Sequence, residues 1–297
     1  MWIIMALLSP AVFTVSNFID KYLLSKSFKD YRALPIFTAL VGFFFGSFFW
    51  ILSGFPLLSF WDGFLVLVTG ILTIWSLIIY FKALDHEETS IVIFLFQIIP
   101  ILSLVLALIF LDERLNLKQS IGFILVIVST MLIAAKKGKK KFRISRSFFL
   151  ILLYDLIWAV IAILMKFIMH TVSFSHVVSY ESFGIGAGGI MIYVMLPAVR
   201  YAFHKSLKNI RKKTIGIIII NEIVFIIAKS VNYYAFFLGP VALVSVIGNT
   251  QVFFGIAFGT VLTIFFPRIF RENISKEGLK IKLIGALLLF IGLFFLI

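Results

Sequence analysis

Residues 64–81 are FLVLVTGILTIWSLIIYF, a run of eighteen residues without a single charge. A helix needs about 20 mostly apolar residues to cross the hydrocarbon core of a bilayer, and this run with its flanking residues is long enough. Comparable runs recur from one end of the chain to the other. A barrel strand would alternate apolar and polar residues, so these continuous runs predict membrane-spanning helices.

The composition of the whole chain supports this prediction. Of its 297 residues, 62% are hydrophobic and only 13% are charged. We predict an all-α membrane protein with ten transmembrane helices, at approximately residues 2–20, 33–53, 61–82, 89–111, 118–135, 147–169, 177–199, 214–237, 241–266 and 280–297. The connectors between these spans are too short for a soluble catalytic domain.

Charge and residue usage exclude several function classes. The formal net charge is +14, but most Lys and Arg residues lie in short connectors, where they set topology and contact anionic headgroups, so we expect no nucleic-acid partner. The chain has no Cys, and its four His residues lack a metal-ligand spacing. It also lacks a Gly-rich phosphate loop. We therefore expect no metal, no cofactor and no ATP-driven pumping.

The chain divides into two halves of five spans. A basic linker at residues 136–146 separates residues 1–135 from residues 147–297. Because five is odd, the second half must enter the membrane with the opposite orientation. Two inverted five-helix repeats are the plan of many secondary transporters, in which the substrate binds near the midplane between the halves.

Scarce polar residues support an internal duplication. A shift of 154 residues places Tyr80 on Tyr234 and Gln97 on Gln251. A shift of 145 residues places Lys21 on Lys166. Tyr and Gln are rare within the spans, so their coincidence in one register is better evidence than matches between apolar residues.

A series of short motifs in the first half resembles a known family. They are Tyr80-Phe81-Lys82-Ala83-Leu84, then Pro100, then Leu111-Asp112-Glu113-Arg114-Leu115, and finally Gln119-Ser120-Ile121-Gly122. Their order and spacing resemble the EamA-type repeat of the drug/metabolite transporter superfamily. The resemblance implies a transporter whose substrate is an amino acid or derivative, a sugar, a nucleotide-type compound, a quaternary amine or a drug.

The second half departs from this pattern. Phe254 stands where the 154-residue register would place the central proline, and the turn is remodelled around Arg271-Glu272-Asn273. The motif resemblance therefore supports the fold and the transporter class, and it leaves the substrate open.

Basic residues cluster in the loops that follow odd-numbered spans. They lie around residues 26–32, 136–146, 200–213 and 268–282. The positive-inside rule puts these loops in the cytoplasm and leaves both termini outside. Ten-helix relatives commonly have both termini in the cytoplasm, so the family habit conflicts with the charge bias, and we follow the charge bias.

Ionisable residues inside the membrane are costly and usually functional. Glu222 and Lys229 are seven residues apart, about two turns, and so lie on one face of the eighth span, flanked by Asn221 and Asn232. In one interpretation this face lines a cavity, with Glu222 binding a cation or proton and Lys229 binding a carboxylate or phosphate. In the other, Lys229 forms a structural pair with an acid on another helix.

Glu181 lies ahead of a run of glycines at residues 184–189. The run indicates either a mobile gate with Glu181 at its mouth or close helix packing. Three charged residues, Asp20, Lys21 and Lys166, are predicted near helix ends, where the two lysines can snorkel to the headgroups. The remaining candidates for substrate or ion binding are Asn17, Trp75, Tyr80, Gln97, Tyr234 and Gln251.

Together these observations predict a secondary active transporter that moves a small polar or amphipathic metabolite by alternating access. The mixed charges favour an amino-acid-like solute or an amine, driven by a gradient of protons or another ion. We expect a multi-pass protein of a bacterial or archaeal plasma membrane. A flippase for a lipid-linked substrate is an alternative. An integral membrane enzyme is less favoured, because no cluster of catalytic residues is present.

Overall fold

The computed structural model describes residues 1–86, 89–135, 146–266 and 276–296, and every regular element in these ranges is helical. Most of the predicted basic linker and the turn around Arg271-Glu272-Asn273 lie outside the described residues. The α-helices are α1 (Trp2–Lys26), α2 (Leu34–Leu52), α3 (Phe60–His86), α4 (Thr89–Leu95), α5 (Ile99–Phe110), α6 (Leu117–Ala135), α7 (Arg146–Ile168), α8 (Phe174–Met195), α9 (Pro197–Leu207), α10 (Lys212–Leu238), α11 (Val241–Gly248), α12 (Gln251–Phe265) and α13 (Lys276–Leu296).

The predicted spans all fall on these helices. Within the described ranges, seven helical segments are long and apolar enough to cross a membrane. Three shorter apolar helices, Phe96–Phe110, Leu117–Ser129 and Leu287–Leu296, occupy the other predicted spans, which makes ten. The prediction of an all-α, multi-span membrane protein is confirmed.

The fourth and ninth spans are each broken near their middle. In the fourth, a 3₁₀ turn at Phe96–Ile98 separates α4 from α5, and Pro100 lies in the first turn of α5. Proline cannot donate a backbone hydrogen bond, which explains why a new helix begins there. In the ninth, Asn249 and Thr250 separate α11 from α12 without a proline. Discontinuous spans of this kind form substrate sites in secondary transporters.

The seventh span differs from the prediction at its end. It was expected to continue to residue 199, but α8 ends at Met195 and Pro197 begins the separate helix α9. Leu196 between them has a non-helical ψ of 89°. The residue before a proline is disfavoured in the helical conformation, so the chain turns there.

The glycines of α8 are packed against neighbouring helices. A Cβ atom added to Gly70 of α3 would collide with backbone atoms of Glu181 and Gly184, and one added to Gly184 would collide with the carbonyl of Leu67. Small residues allow helix backbones to approach this closely. Close packing is therefore the interpretation that the structure supports for this run of glycines.

Several helix contacts between the two halves are reciprocal. When the two halves are exchanged, α7 takes the place of α1 and α3 takes the place of α10. The contact of α1 with α10 therefore has its counterpart in the contact of α7 with α3. The contact of α5 with α7 corresponds in the same way to those of α11 and α12 with α1. Two further pairs, α2 with α8 and α6 with α13, join helices in equivalent positions of the two halves, and the contact of α5 with α11 has its counterpart in that of α4 with α12.

Lys21 and Lys166 occupy equivalent places in this arrangement. Lys21 Nζ donates to the carbonyl of Leu84 near the end of α3, at 2.6 Å. Lys166 Nζ donates to the carbonyls of Phe236, at 2.9 Å, and Gly239, at 3.0 Å, at the end of α10. We predicted that both lysines can snorkel to headgroups, but they bind carbonyls at the negative dipole end of a neighbouring helix.

Candidate solute-binding site

A cavity of about 110 Å³ lies between the two halves, which we call the central cavity. It is bordered by α1, α3, α7 and α10 and by the breaks of the fourth and ninth spans. The polar residues lining it are Ser9, Asn17, Asp20, Tyr80, Gln97, Tyr154, Trp158, Asn232, Tyr233, Ser245, Asn249 and Gln251. Because a buried water requires ~10–15 Å³ in this measure, the space is enough for several waters or a small solute.

Asp20 is the charged side chain among the described residues that line the central cavity. Its carboxylate accepts a hydrogen bond from Asn221 Nδ2 at 2.7 Å. The hydroxyl of Tyr80 lies 3.1 Å from Asp20 Oδ2 and 3.2 Å from Asn17 Oδ1, and can donate to either. No described basic side chain lies within ion-pairing distance of Asp20. The cavity therefore presents a carboxyl group with which a bound cation can pair.

Aromatic rings form much of the cavity wall. Phe96 stacks on Tyr154 with ring centroids 5.0 Å apart, and Tyr80 lies 5.8 Å from Tyr154. Trp158, whose ring lies 5.9 Å from that of Tyr154, meets Phe13 edge to face at 6.2 Å. Aromatic faces attract cations, most strongly where water is excluded. An acid beside several rings is a suitable environment for an organic ammonium group.

Several polar atoms at this wall have no hydrogen-bond partner within the described parts of the chain. The donors are Asn17 Nδ2, Trp158 Nε1 and Asn249 Nδ2, the acceptor is Gln97 Oε1, and the hydroxyl of Ser245 can be either. Each belongs to a buried residue that lines the central cavity. Buried polar groups are nearly always paired, so these atoms are available to a solute or to bound water.

Glu181 and Lys229 form a buried ion pair behind the cavity wall. Lys229 Nζ lies 2.6 Å from Glu181 Oε2, and the two side chains are 2% and 1% exposed. Glu181 Oε1 accepts hydrogen bonds from Tyr233, at 2.9 Å, and Thr73, at 3.3 Å. Of these residues Tyr233 lines the central cavity, and Glu181, Lys229 and Thr73 do not. This arrangement matches our second interpretation, in which Lys229 forms a structural pair with an acid on another helix.

Glu222 and Asn221 also lie outside the cavity lining. Glu222 is buried, and its Oε1 accepts a hydrogen bond from Thr38 of α2 at 2.6 Å. Asn221 joins Asp20 to Ser16, whose hydroxyl donates to Asn221 Oδ1 at 3.0 Å. The structure therefore does not place Glu222 and Lys229 side by side on a cavity surface, because helix α10 turns that face toward α2 and α8.

The other predicted site residues divide into two groups. Those in contact with the central cavity are Asn17, Tyr80, Gln97, Asn232 and Gln251. Tyr234 instead packs against Phe174, and Trp75 of α3 packs against the apolar core. Tyr233 lines the cavity in place of Tyr234. Successive residues of a helix point about 100° apart, so the two tyrosines face different surroundings.

Comparison with known proteins agrees with this architecture. Residues 1–135 match the profile of the EamA-like transporter family. The first half of the chain is an EamA-type repeat. The resemblance to the drug/metabolite transporter superfamily is thereby confirmed over these residues, and the matching family is one of transporters.

Solved structures support the fold over the whole chain. A protein known from a crystal structure matches with a TM-score of 0.70 at 13% sequence identity, over 98% of this chain and 94% of its own. At that identity the likeness concerns the fold alone. Among proteins of curated function, none matches this chain by sequence.

Three EamA motif residues make contacts between helices, and one of them holds a broken span. Glu113 accepts hydrogen bonds from the backbone N–H groups of Val241, at 3.1 Å, and Ala242, at 3.4 Å, and so caps the start of α11. Leu84 supplies the carbonyl that Lys21 binds. Gly122 lies against the backbone carbonyl of Gly292 where α6 crosses α13.

Proposed function

We propose that this EamA-type protein is a secondary transporter for a small solute that carries a cationic amino group. The observation that carries the proposal is the position of Asp20 in an aromatic-lined cavity without a described basic group. A cation bound there would pair with the carboxylate and contact the faces of Tyr80, Tyr154 and Phe96. Both attractions are strengthened where water is excluded.

The unpaired polar atoms narrow the solute class further. The amide N–H groups of Asn17 and Asn249 and the indole N–H of Trp158 can donate to a carboxylate, a carbonyl or a hydroxyl. A solute with an ammonium group and one such acceptor would pair with Asp20 and also accept a hydrogen bond from one of these N–H groups. Amines and amino-acid-like zwitterions have this chemistry, and each hydrogen bond left unmade on binding would weaken affinity.

The transport mechanism in this proposal is alternating access between two inverted repeats, residues 1–135 and 147–297. Supporting it are the reciprocal helix contacts, the equivalent lysine caps and the two broken spans that meet at the central cavity. A gradient of the solute, of protons or of another ion would supply the driving force. A lipid-linked anionic substrate is less favoured, because its phosphate would face Asp20.

The positive-inside rule supports an orientation with both termini outside the cell. The loops rich in Lys and Arg would then lie in the cytoplasm. A bacterial or archaeal plasma membrane remains our prediction for the location of the protein.

A matched ligand panel tests the solute class. The purified protein is heated in detergent with phenethylamine, phenylalanine, phenethyl alcohol or 3-phenylpropionate, which share a ring and differ in charge. A ligand at about 100 times its dissociation constant stabilises the folded state by about 2.7 kcal/mol. We expect phenethylamine or phenylalanine to raise the unfolding temperature, and the alcohol to have little effect. Stabilisation by the anionic propionate alone would contradict the proposal.

A further inference from the structure

A second depression in the protein surface lies on the opposite side of α1 from the central cavity. We call it the lateral groove. It has a volume of about 340 Å³, and its lining is apolar apart from the hydroxyl-bearing Tyr22: Val15, Phe18, Ile19, Tyr22, Ile217, Phe258, Leu262 and Phe266. Asn17 and Asp20 project toward the central cavity from the other face of the same helix. Helix α1 therefore separates the two spaces.

The lateral groove opens to the outside of the helix bundle between α10 and α12. Phe258 is 37% exposed and Phe266 is 53% exposed. In a membrane-spanning bundle, apolar surface of this kind faces hydrocarbon, and its natural occupant is a lipid chain. A polar solute would gain nothing from this groove, because it offers no hydrogen-bonding or charged group apart from one phenol.

Two lysines flank the end of the groove that lies nearest the membrane surface. Lys26 follows Tyr22 by four residues in α1, and Lys213 precedes Ile217 by four residues in α10. Residues four apart are neighbours on one helix face. Ser9 bonds to Ala228 and Ser16 to Asn221, so α1 and α10 pack against each other in opposite directions, and both lysines lie at the same end of the groove.

Both lysine side chains are available to a ligand. They are exposed, and neither forms an ion pair with any residue in the described ranges. Each basic residue near a membrane surface attracts anionic lipid by about 1 kcal/mol. An apolar groove that ends at two such groups matches the two parts of one phospholipid, a hydrocarbon chain and a negative headgroup.

We propose that the lateral groove binds an anionic phospholipid, with an acyl chain along α1, α10 and α12 and the phosphate between Lys26 and Lys213. The bound chain packs against Phe18 and Tyr22 on the back of the helix that carries Asn17 and Asp20. Such a lipid stabilises the position of α1 and therefore the shape of the central cavity. This site is independent of the solute that the central cavity binds.

Native mass spectrometry of the purified protein with dioleoyl phosphatidylglycerol or dioleoyl phosphatidylcholine measures the binding. The double variant Lys26→Gln/Lys213→Gln should weaken phosphatidylglycerol binding about thirty-fold, since two lysines are removed. Binding of phosphatidylcholine should be weaker in the wild type and change little in the variant. Leu262→Trp fills the groove, keeps both lysines and should also weaken phosphatidylglycerol binding.

Two controls distinguish a built site from general attraction to a basic surface. The variant Arg200→Gln/Lys205→Gln removes two charges from α9, outside the groove, and should retain phosphatidylglycerol binding. Glycerol 1-phosphate, which has the headgroup chemistry without a chain, should not bind. Equal losses in the α9 variant and the groove variant would overturn the proposal, and so would unchanged binding in the Leu262→Trp variant.

Discussion

Removing Lys229 should destabilise the protein because it leaves Glu181 as a buried, unpaired carboxylate. Breaking a buried ion pair by deleting one partner costs about 3–5 kcal/mol. Glu181 keeps its hydrogen bonds to Tyr233 and Thr73, so we expect the lower part of this range for Lys229→Met. Since neither charge lines the central cavity, the variant that folds should retain solute specificity.

A double-mutant cycle in reversible SDS unfolding of the purified protein measures the pair directly. Glu181→Gln should also destabilise, because it leaves a buried ammonium group. The double variant Glu181→Gln/Lys229→Met should lose less unfolding free energy than the sum of the losses in the two single variants. Lys212→Met, at the exposed start of α10, is the control and should change stability by less than about 0.5 kcal/mol. Additive losses in the cycle would refute the pairing.

Three further predictions concern the fold and its orientation. Gly70→Ala should destabilise strongly, because the methyl group collides with the backbone of α8, whereas Gly216→Ala meets no atom within 4 Å and should be tolerated in the same SDS assay. Lys166→Gln should cost about 1.5–3 kcal/mol through the lost charged hydrogen bonds, and an unchanged unfolding curve would contradict the capping role. A reporter fused to the carboxyl terminus should be active only outside the cytoplasm, and cytoplasmic activity would reverse the proposed orientation.

Hydropathy was enough to predict the spans, because a bilayer requires long apolar helices whatever their neighbours are. Hydropathy did not locate the breaks in the fourth and ninth spans. A proline disfavours a continuous helix, so Pro100 is a sequence signal for the break that lies just before it. The break at Asn249 and Thr250 has no proline, so only the register with Gln97 and Gln251 could have suggested it.

The candidate site was harder to predict, because a sequence gives the spacing of residues on a helix but not the rotation of that helix in the bundle. Glu222 and Lys229 share a face as predicted, yet that face meets α2 and α8. Asp20 was predicted near a helix end, because the first span was drawn to residue 20. In the structure α1 continues to Lys26, which places Asp20 inside the bundle.

Aromatic residues are too common in this chain for the sequence to single out those that line the central cavity. With 36 Phe in the chain, neither Phe96 nor Phe13 could be distinguished from core residues by sequence alone. Tyr154 and Trp158 also became candidates only when the packing of α7 against α3 and α5 was known.

Exchange of labelled phenethylamine in proteoliposomes tests the central claim that Asp20 binds the amino group of the solute. Asp20→Asn keeps the size of the side chain and removes its charge. The account predicts a loss of affinity of about ten- to a hundred-fold, the range for one charge-assisted contact. Asp62→Asn, which changes a partly exposed acid outside the cavity, should exchange the amine like the wild type. Wild-type exchange by a folded Asp20→Asn variant would contradict the account.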